Sequence, residues 1–337
     1  MPPPGERSNF LPTSGTKNQH QPSALDASIL GSESDMPSQF IWPHHERPCL
    51  ESPQLVPITT IVDKACKKHG DVMVVNHEVD PGLVDRAHRC MDLFFRMQLC
   101  EKQKAQRKIG ENSGYSSGFV GRFSSKLPWK ETLSFRYCPD SPNIVEQYFV
   151  SVMGLNFRHF GKVYQEYCEA MNKLSMKVME LLGVSLVLGR PYLRDFFQGI
   201  DSILRLNHYP PCPKPDLALG TGPHADPTAL TILDQDQVGG LQVFADHQWH
   251  SLNSHPRSIR RYCLHRAVVN NERARRSIAL FVCTEMNETV TPATALVNVE
   301  NPRIYPDFKW AAFLEFTQKD YKVNMKTLEA FSNWLQK

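Results

Sequence analysis

Two side chains able to bind a metal stand two residues apart in Leu219-Gly-Thr-Gly-Pro-His224-Ala-Asp226-Pro-Thr-Ala-Leu230. On an extended segment residues i and i+2 leave the same face, so the His224 imidazole and the Asp226 carboxylate can converge on one cation. A third ligand must come from elsewhere, and His265, in Cys263-Leu-His-Arg266, is the best candidate. Two nitrogens and one oxygen on one face of an octahedron leave positions open, the arrangement by which non-haem Fe(II) centres admit a co-substrate and O2.

A His-x-Asp pair alone is weak evidence in a chain with 13 histidines, because surface turns and helix caps use the same residues. Its neighbours strengthen it. The run Ser202-Ile-Leu-Arg-Leu-Asn-His-Tyr209 alternates, placing Arg205, Asn207 and Tyr209 on one face and Leu204 and Leu206 on the other, and stops at Pro210-Pro211. Downstream, Arg275 and Ser277 are again two apart, in a run ending Ile278-Ala-Leu-Phe-Val282 that reads as a buried strand. A guanidinium and a hydroxyl on one face can jointly hold a carboxylate, the arginine through a two-pronged charge-assisted contact. Without the metal pattern, Arg273, Arg275 and Arg276 would read as a solvated basic turn.

The elements that must position these groups fall into two blocks. From about Thr59 to Gly199 the apolar period is helical: Leu83, Ala87, Cys90, Phe94 and Met97 share a face after Asp80-Pro81, and Val163, Tyr167, Met171, Leu174, Val178 and Leu181 share another, with Gly183 at its end. After Gly199 the period becomes two, with strands around 202–209, 228–233, 240–245 and 276–283. Helical signals return at 310–318 and 325–336. Helices followed by a strand-rich block predict a mixed α+β fold with a double-stranded β-helix, or jelly-roll, core flanked by N-terminal and C-terminal helices. Four segments follow: a disordered polar tail over 1–36, a mainly helical region over 37–199, the jelly-roll core over 200–300, and C-terminal helices over 301–337 packed on that core.

Specific blocks then carry a family resemblance. They are Gly121-Arg-Phe-Ser-Ser-Lys-Leu-Pro-Trp-Lys-Glu-Thr-Leu-Ser-Phe135, Asn207-His-Tyr-Pro-Pro-Cys212, Gln235-Asp-Gln-Val-Gly-Gly-Leu-Gln-Val243, Leu264-His-Arg-Ala-Val-Val-Asn-Asn271, and the ending from Ile304-Tyr-Pro-Asp-Phe308 to Trp334. Over roughly nine-tenths of its length the chain resembles the plant gibberellin 20-oxidases, of the iron(II)- and 2-oxoglutarate-dependent dioxygenase superfamily. The Leu-Pro-Trp-Lys-Glu-Thr block points to the 20-oxidase branch. The resemblance implies that His224, Asp226 and His265 bind Fe(II), and that Tyr209, Arg275 and Ser277, with Asn207 beside them, hold 2-oxoglutarate. It also implies O2 as second co-substrate, ascorbate as reductant, and stepwise oxidation and loss of carbon-20 of a C20 gibberellin. For that rigid diterpenoid acid, Trp129 and Phe135 are candidate walls and Lys130 a candidate charge.

The chain departs from the family pattern in two apparent deletions. About fifteen residues are missing between His224 and His265, enough for two strands of ~5–6 residues with their turn, and a second shortening follows Val56-Pro-Ile58. The sheet is therefore expected to be incomplete, with unpaired backbone groups as the cost. Smaller departures are Glu78, where the family tends to have glycine, and His208, where it tends to have tyrosine. Two other readings stay open: a related plant dioxygenase (a gibberellin 2- or 3-oxidase or a flavonoid oxidase), separable by product mass, and a chain catalytically impaired by its deletions, separable by iron and 2-oxoglutarate binding.

Composition narrows the remaining classes. With 41% hydrophobic and 22% charged residues in 337, the chain suits a globular enzyme, and a net charge of +3 gives no basis for nucleic-acid binding. No run of about twenty apolar residues predicts a membrane span. Nine scattered cysteines without a C-x-x-C pattern read as thiols in a reducing compartment. A cytoplasmic monomer acting on a small molecule is the expectation.

Overall fold

The computed structural model describes residues 39–41, 71–75, 77–108, 110–118, 128–245, 247–252, 258–260, 264–319 and 327–336. The expected polar tail and the shortening after Ile58 lie outside these residues.

In chain order, β1 (Gln39–Ile41) and β2 (Asp71–Val75) precede helix α1 (Pro81–Arg96). Asp80 caps α1: its carboxylate accepts from the backbone N–H groups of Gly82 and Leu83, and Pro81 occupies the first turn, where its missing N–H costs nothing. A short helix α2 (Leu99–Lys102) leads to β3 (Gly114–Ser117) and β4 (Glu131–Tyr137), then α3 (Ile144–Met153), the long α4 (Arg158–Ser185) and α5 (Arg190–Phe197). The apolar face read for α4 is the buried one. Gly183 does not end that helix. It lies inside it, at a point where a Cβ would stand 2.5 Å from the Gly189 carbonyl oxygen, so the glycine lets the following turn fold back tightly.

The region expected to be helical also supplies β2, β3 and β4. The sequence signal failed at β4 because four of its residues in a row, Thr132 to Phe135, are buried, which erases the alternation by which a half-exposed strand is recognised. Its pairing with the following strand, not its own pattern, fixes its conformation.

The strand block comprises β5 (Ser202–Tyr209), β6 (Thr221–His224), β7 (Leu230–Gln235), β8 (Leu241–Ala245), β9 (Gln248–Ser251), β10 (Ser258–Arg260), β11 (His265–Ala267) and β12 (Arg275–Val282). They distribute between two sheets, one ordered β1-β2-β10-β7-β12-β5-β4-β3 and the other β6-β11-β8-β9. Each sheet thus takes four of the eight, the double-sheet arrangement of a jelly roll. The shortened stretch before His265 still contributes a strand. β10 has three residues and pairs antiparallel with β7, Ile259 opposite Ile232, and with β2 on its other side, so this stretch supplies a strand within the large sheet.

Leu204, Leu206, Ile278 and Leu280 of the large sheet pack against α1, α3 and α4 in the main core. A smaller cluster of Leu233, Leu241, Val243, Leu252 and Ala279 forms with residues of both sheets. The hairpin of β13 (Thr289–Val290) and β14 (Phe308–Lys309) and the helices α6 (Trp310–Lys319) and α7 (Thr327–Leu335) close a third cluster, where Phe313, Phe316 and Phe331 meet Ile203 and Phe281. Among the described residues no helix is long and apolar enough to cross a membrane.

Both smaller departures from the family pattern have structural consequences. Glu78 adopts φ 63°, the left-handed region that glycine occupies without the cost of ~1–2 kcal/mol borne by other residues. Its carboxylate lies 2.7 Å from Lys177 Nζ, an exposed pair worth at most ~1 kcal/mol. Glu78→Gly is therefore expected to stabilise the fold by about 0.5–1 kcal/mol, read as a higher urea midpoint at unchanged slope. A lower midpoint would show that the ion pair outweighs the backbone strain.

His208 stacks on Phe95, with ring centroids 5.1 Å apart and 14° between planes, and its Nδ1 has no hydrogen-bond partner among the described residues. Burial lowers its pKa below 6.5, opposed by Glu131 and Asp92 and reinforced by Lys102 and Arg276. A depressed folded-state pKa means that the unfolded chain takes up the proton first as pH falls. Stability contributed by neutral His208 is then full above pH 6.5 and is lost from there down toward the folded-state value. His208→Tyr should flatten the stability loss below pH 6.5 in pH-resolved urea melts; an unchanged slope would place the titrating group elsewhere.

Candidate metal centre

β6 and β11 run antiparallel with His265 directly opposite His224, and their imidazole centroids are 4.2 Å apart. Asp226 follows two residues after His224, beyond the end of β6. Its Oδ1 lies 3.5 Å from His224 Nε2 and 3.9 Å from His265 Nε2. One ligand atom from each residue falls within 4.8 Å of the others. Sheet register therefore joins two histidines that are far apart in the chain.

Neighbouring groups orient each ligand. His224 Nδ1 is 2.8 Å from the Gly222 carbonyl oxygen, which can only accept, so Nδ1 carries the proton and Nε2 presents its lone pair toward Asp226. The other Asp226 oxygen, Oδ2, accepts from the Thr231 hydroxyl at 2.8 Å. Trp310 at the start of α6 donates its Nε1–H to the Pro227 carbonyl at 3.0 Å, tying the C-terminal helices to the turn that carries Asp226. Burial would raise the Asp226 pKa; while the imidazoles carry a second proton and no cation is bound, the charges of His265 and His224 and hydrogen bonds from His224 and Thr231 outweigh it and hold the carboxyl well below the usual carboxylate range. Two imidazole nitrogens and an ionised carboxylate oxygen, converging without a cysteine, fit Fe(II).

A cavity open to solvent contains this cluster, the concave setting in which small-molecule sites occur. The β12 register lays out its floor in rows: Arg275 opposite Tyr209, Ser277 between Asn207 and Gln235, Ala279 between Arg205 and Leu233, and Phe281 between Ile203 and Thr231. Since Thr231 bonds Asp226, the last row marks the end nearest the metal ligands, and the Arg275–Tyr209 row is the remote end.

The remote end is built for an anion. Arg275 is 2% exposed, its Nη2 donates to Gln235 Oε1 at 2.7 Å, its guanidinium carbon lies 4.9 Å from the Tyr209 ring centroid, and its buried Nε has no hydrogen-bond partner among the described residues. A buried guanidinium is costly until an anion meets it. Beside it, Asn207 Nδ2 donates to the Ser277 hydroxyl at 3.3 Å. Tyr209 is packed under Gly220, where a Cβ would stand 2.5 Å from the tyrosine ring, so only glycine lets the chain pass this close.

Of the residues singled out from sequence, His224, Asp226, His265, Asn207, Tyr209, Arg275, Ser277 and Lys130 line one cavity. Trp129 and Phe135 do not. Trp129 is 39% exposed and donates its Nε1–H to the Pro210 carbonyl, while Phe135 packs on Phe149 and Tyr164 in the main core. Phe135 pairs with Leu204 across the sheet, so it shares the core face, the one opposite Arg205. Lys130 reaches the cavity at the remote end, its Nζ donating to Thr221 Oγ1 at 2.8 Å and lying 6.0 Å from the Tyr209 ring centroid. Thr221, Thr231 and Gln235 escaped the sequence reading. Tertiary packing places Thr221 against Lys130 and Tyr209 and Gln235 against Arg275, while Thr231 reaches Asp226 across the short turn before β7, and only Thr231, polar within an apolar run, left a trace in the sequence.

Comparison with known proteins agrees with this architecture. Residues 200–284 match the 2OG-Fe(II) oxygenase superfamily, and residues 50–153 match the non-haem dioxygenase in morphine synthesis N-terminal family. Gibberellin 20 oxidase 2 of Arabidopsis thaliana is 50% identical over 349 positions, covering 95% of this chain and 92% of the relative. Gibberellin 20 oxidase 1-B of Triticum aestivum is 49% identical, covering 92% and 94%. The 349-position span exceeds the 337 residues of this chain, so the Arabidopsis relative carries residues that this one lacks. Among solved structures, JOX2 in complex with 2OG, Fe and JA superposes with a TM-score of 0.73 at 27% identity, covering 92% of this chain and 94% of that one. The dioxygenase for auxin oxidation from rice shares the fold, with a TM-score of 0.68 at 22% identity over 81% of this chain and 94% of that one. The chain belongs to the gibberellin 20-oxidase family of the 2-oxoglutarate and Fe(II)-dependent oxygenases.

Proposed function

We propose that this chain oxidises carbon-20 of C20 gibberellins stepwise until that carbon is lost, with Fe(II) on His224, Asp226 and His265 and 2-oxoglutarate reaching from the metal to Arg275. The observation that carries the reading is the pairing, in one cavity, of a converged His-Asp-His set with a buried arginine whose Nε has no partner among the described residues. The chemistry that the metal supplies when bound is O2 activation coupled to decarboxylation of 2-oxoglutarate to succinate and CO2.

The protein's part is position and electrostatics. Thr231 and Gly222 fix the Asp226 carboxylate and the His224 ring, so that both point their ligand atoms at one place. Arg275, Ser277 and Tyr209, with Asn207 holding the Ser277 hydroxyl, receive the remote carboxylate of 2-oxoglutarate. Lys130 shares that end, so its charge strengthens the same anion site instead of serving the gibberellin as the resemblance implied. Leu233, Leu241, Ala267 and Ala279 give the cavity apolar walls suited to a diterpenoid skeleton. The same reading makes the protein a cytoplasmic monomer that uses ascorbate as reductant.

Mass-spectrometric product analysis with a C20 gibberellin, Fe(II), 2-oxoglutarate and ascorbate tests the proposal. Products oxidised at carbon-20, or lacking it, are expected. Hydroxylation at another carbon would assign a different gibberellin oxidase, and no product from folded protein would assign an impaired chain.

A further inference from the structure

Two arginines follow one another in β12, and the strand sends them to opposite faces. Arg276 stands opposite His208 on the side that faces the helices, where its Nε lies 3.1 Å from Asp236 Oδ2 and its Nη1 meets the Asp92 carboxylate of α1. Arg275 stands opposite Tyr209 and lines the cavity. It is 2% exposed, yet no carboxylate of the described residues pairs with it. Its hydrogen bond among them goes to the Gln235 side-chain carbonyl, 2.7 Å from Nη2, and its Nε is buried without a partner. Gln235 is itself buried and stands opposite Ser277. Gln235 and Asp236 are consecutive, so the end of β7 serves both arginines: a neutral amide holds the one in the cavity, and a carboxylate holds the one facing the helices.

We infer that Gln235 is a positioning residue for the co-substrate: it holds the Arg275 guanidinium in place without neutralising it, so that the charge stays available to the remote carboxylate of 2-oxoglutarate. The hold matters because an arginine carries much rotamer freedom. A side chain fixed before the anion arrives loses little more when it binds. The neutrality matters more. A glutamate at this position would have the same shape and would accept the same hydrogen bond. It would also form an ion pair with Arg275 in a buried setting, where charges interact far more strongly than in water. An incoming dicarboxylate would then have to displace that pair or face a second negative charge beside it. The contrast with Arg276 supports the assignment, because the arginine that faces the helices is met by two carboxylates and the arginine in the cavity by an amide. The inference rests on the role proposed above for Arg275, and it assigns Gln235, a residue for which the resemblance implied no role.

The test separates the hydrogen bond from the charge. Binding of 2-oxoglutarate is measured by calorimetry to the anaerobic Fe(II)-loaded wild type, Gln235→Met, Gln235→Glu and Arg275→Met. Gln235→Met, which loses the hold and keeps the free charge, should bind about tenfold more weakly. Gln235→Glu, which keeps the hydrogen bond and cancels the charge, should lose about a hundredfold or more. Fe(II) affinity should stay unchanged in both Gln235 variants, since Gln235 stands two rows from the Thr231 row beside the metal ligands. A purely structural Gln235 predicts the reverse order, because glutamate preserves the contacts that methionine removes. That order, or wild-type affinity in Gln235→Glu, would overturn the inference. If Gln235→Glu does not fold, Gln235→Met decides alone, and unchanged 2-oxoglutarate affinity in it would overturn the inference. Arg275→Met distinguishes the two levels of the argument. If it binds 2-oxoglutarate as tightly as the wild type, the role of Arg275 fails and that of Gln235 with it; if it loses affinity while Gln235→Glu does not, only the role of Gln235 falls.

Discussion

Asp226→Ala is expected to abolish turnover, by about a thousandfold or more, and to weaken Fe(II) binding by about a hundredfold or more, because it removes the one anionic ligand from the set. The reason is specific to this geometry. Asp226 Oδ1 is the atom toward which both imidazole nitrogens point, at 3.5 and 3.9 Å, and without it His224 and His265 present two neutral nitrogens across a strand pair. The fold should survive, because Asp226 lies past the end of β6 and its hydrogen-bond and ion-pair partners among the described residues are Thr231 and the two histidines. Fe(II) titration under anaerobic conditions, with circular dichroism as the control for folding, checks this. Retention of tight stoichiometric iron binding by a folded Asp226→Ala protein would show that the metal uses other ligands.

Arg275→Met should separate binding from stability. Loss of the buried guanidinium is expected to raise the 2-oxoglutarate requirement by about a hundredfold or more, since a two-pronged charge-assisted contact disappears. Thermal stability without 2-oxoglutarate should fall little or rise. A buried cation with an unsatisfied Nε is expensive, and replacing such a group by an apolar one of similar length is often neutral or stabilising. In the wild type, saturating 2-oxoglutarate should raise Tm through linkage, and in Arg275→Met that rise should vanish. A variant that melts far below the wild type yet binds 2-oxoglutarate normally would make Arg275 a structural residue bonded to Gln235.

Much of this site was legible in the sequence because residues two apart share a face on a strand, although Asp226 itself stands just past the end of β6. His224 and Asp226, Asn207 and Tyr209, and Arg275 and Ser277 each lie two apart, and each pair faces the cavity. The helices read from Asp80-Pro81 and from the Val163 to Leu181 stripe were legible because their apolar faces are long and repeat many times. What escaped depended on pairing between distant segments. β3, β4 and β11 are short or buried on both faces, and the Thr221–Lys130 and Gln235–Arg275 contacts join segments far apart in the chain. Phe135 shows the limit of a motif as a guide: its block resembles a family signature, yet the strand parity of β4 sends its ring into the main core.

The stretch before His265, where the sequence departs from the pattern the resemblance implies, supplies β10, and the topology places the histidine pair in the other sheet. β10 has three residues, and His265 is positioned by β11, which pairs with β6 and β8 in the other sheet. The register that pairs the two histidines thus lies outside β10, which among the described residues meets the centre only through β7, where Arg260 stands opposite Thr231, the partner of Asp226.

The most direct test of this account is an anaerobic titration of the purified chain with Fe(II) and 2-oxoglutarate, followed through the visible charge-transfer absorption that a chelated 2-oxoglutarate–Fe(II) complex gives. One equivalent of each should generate the band in the wild type, and neither Asp226→Ala nor Arg275→Met should produce it at the same concentrations. A folded wild-type chain that gives no band would contradict the claim that the shortened sheet still brings His224, Asp226 and His265 onto one iron.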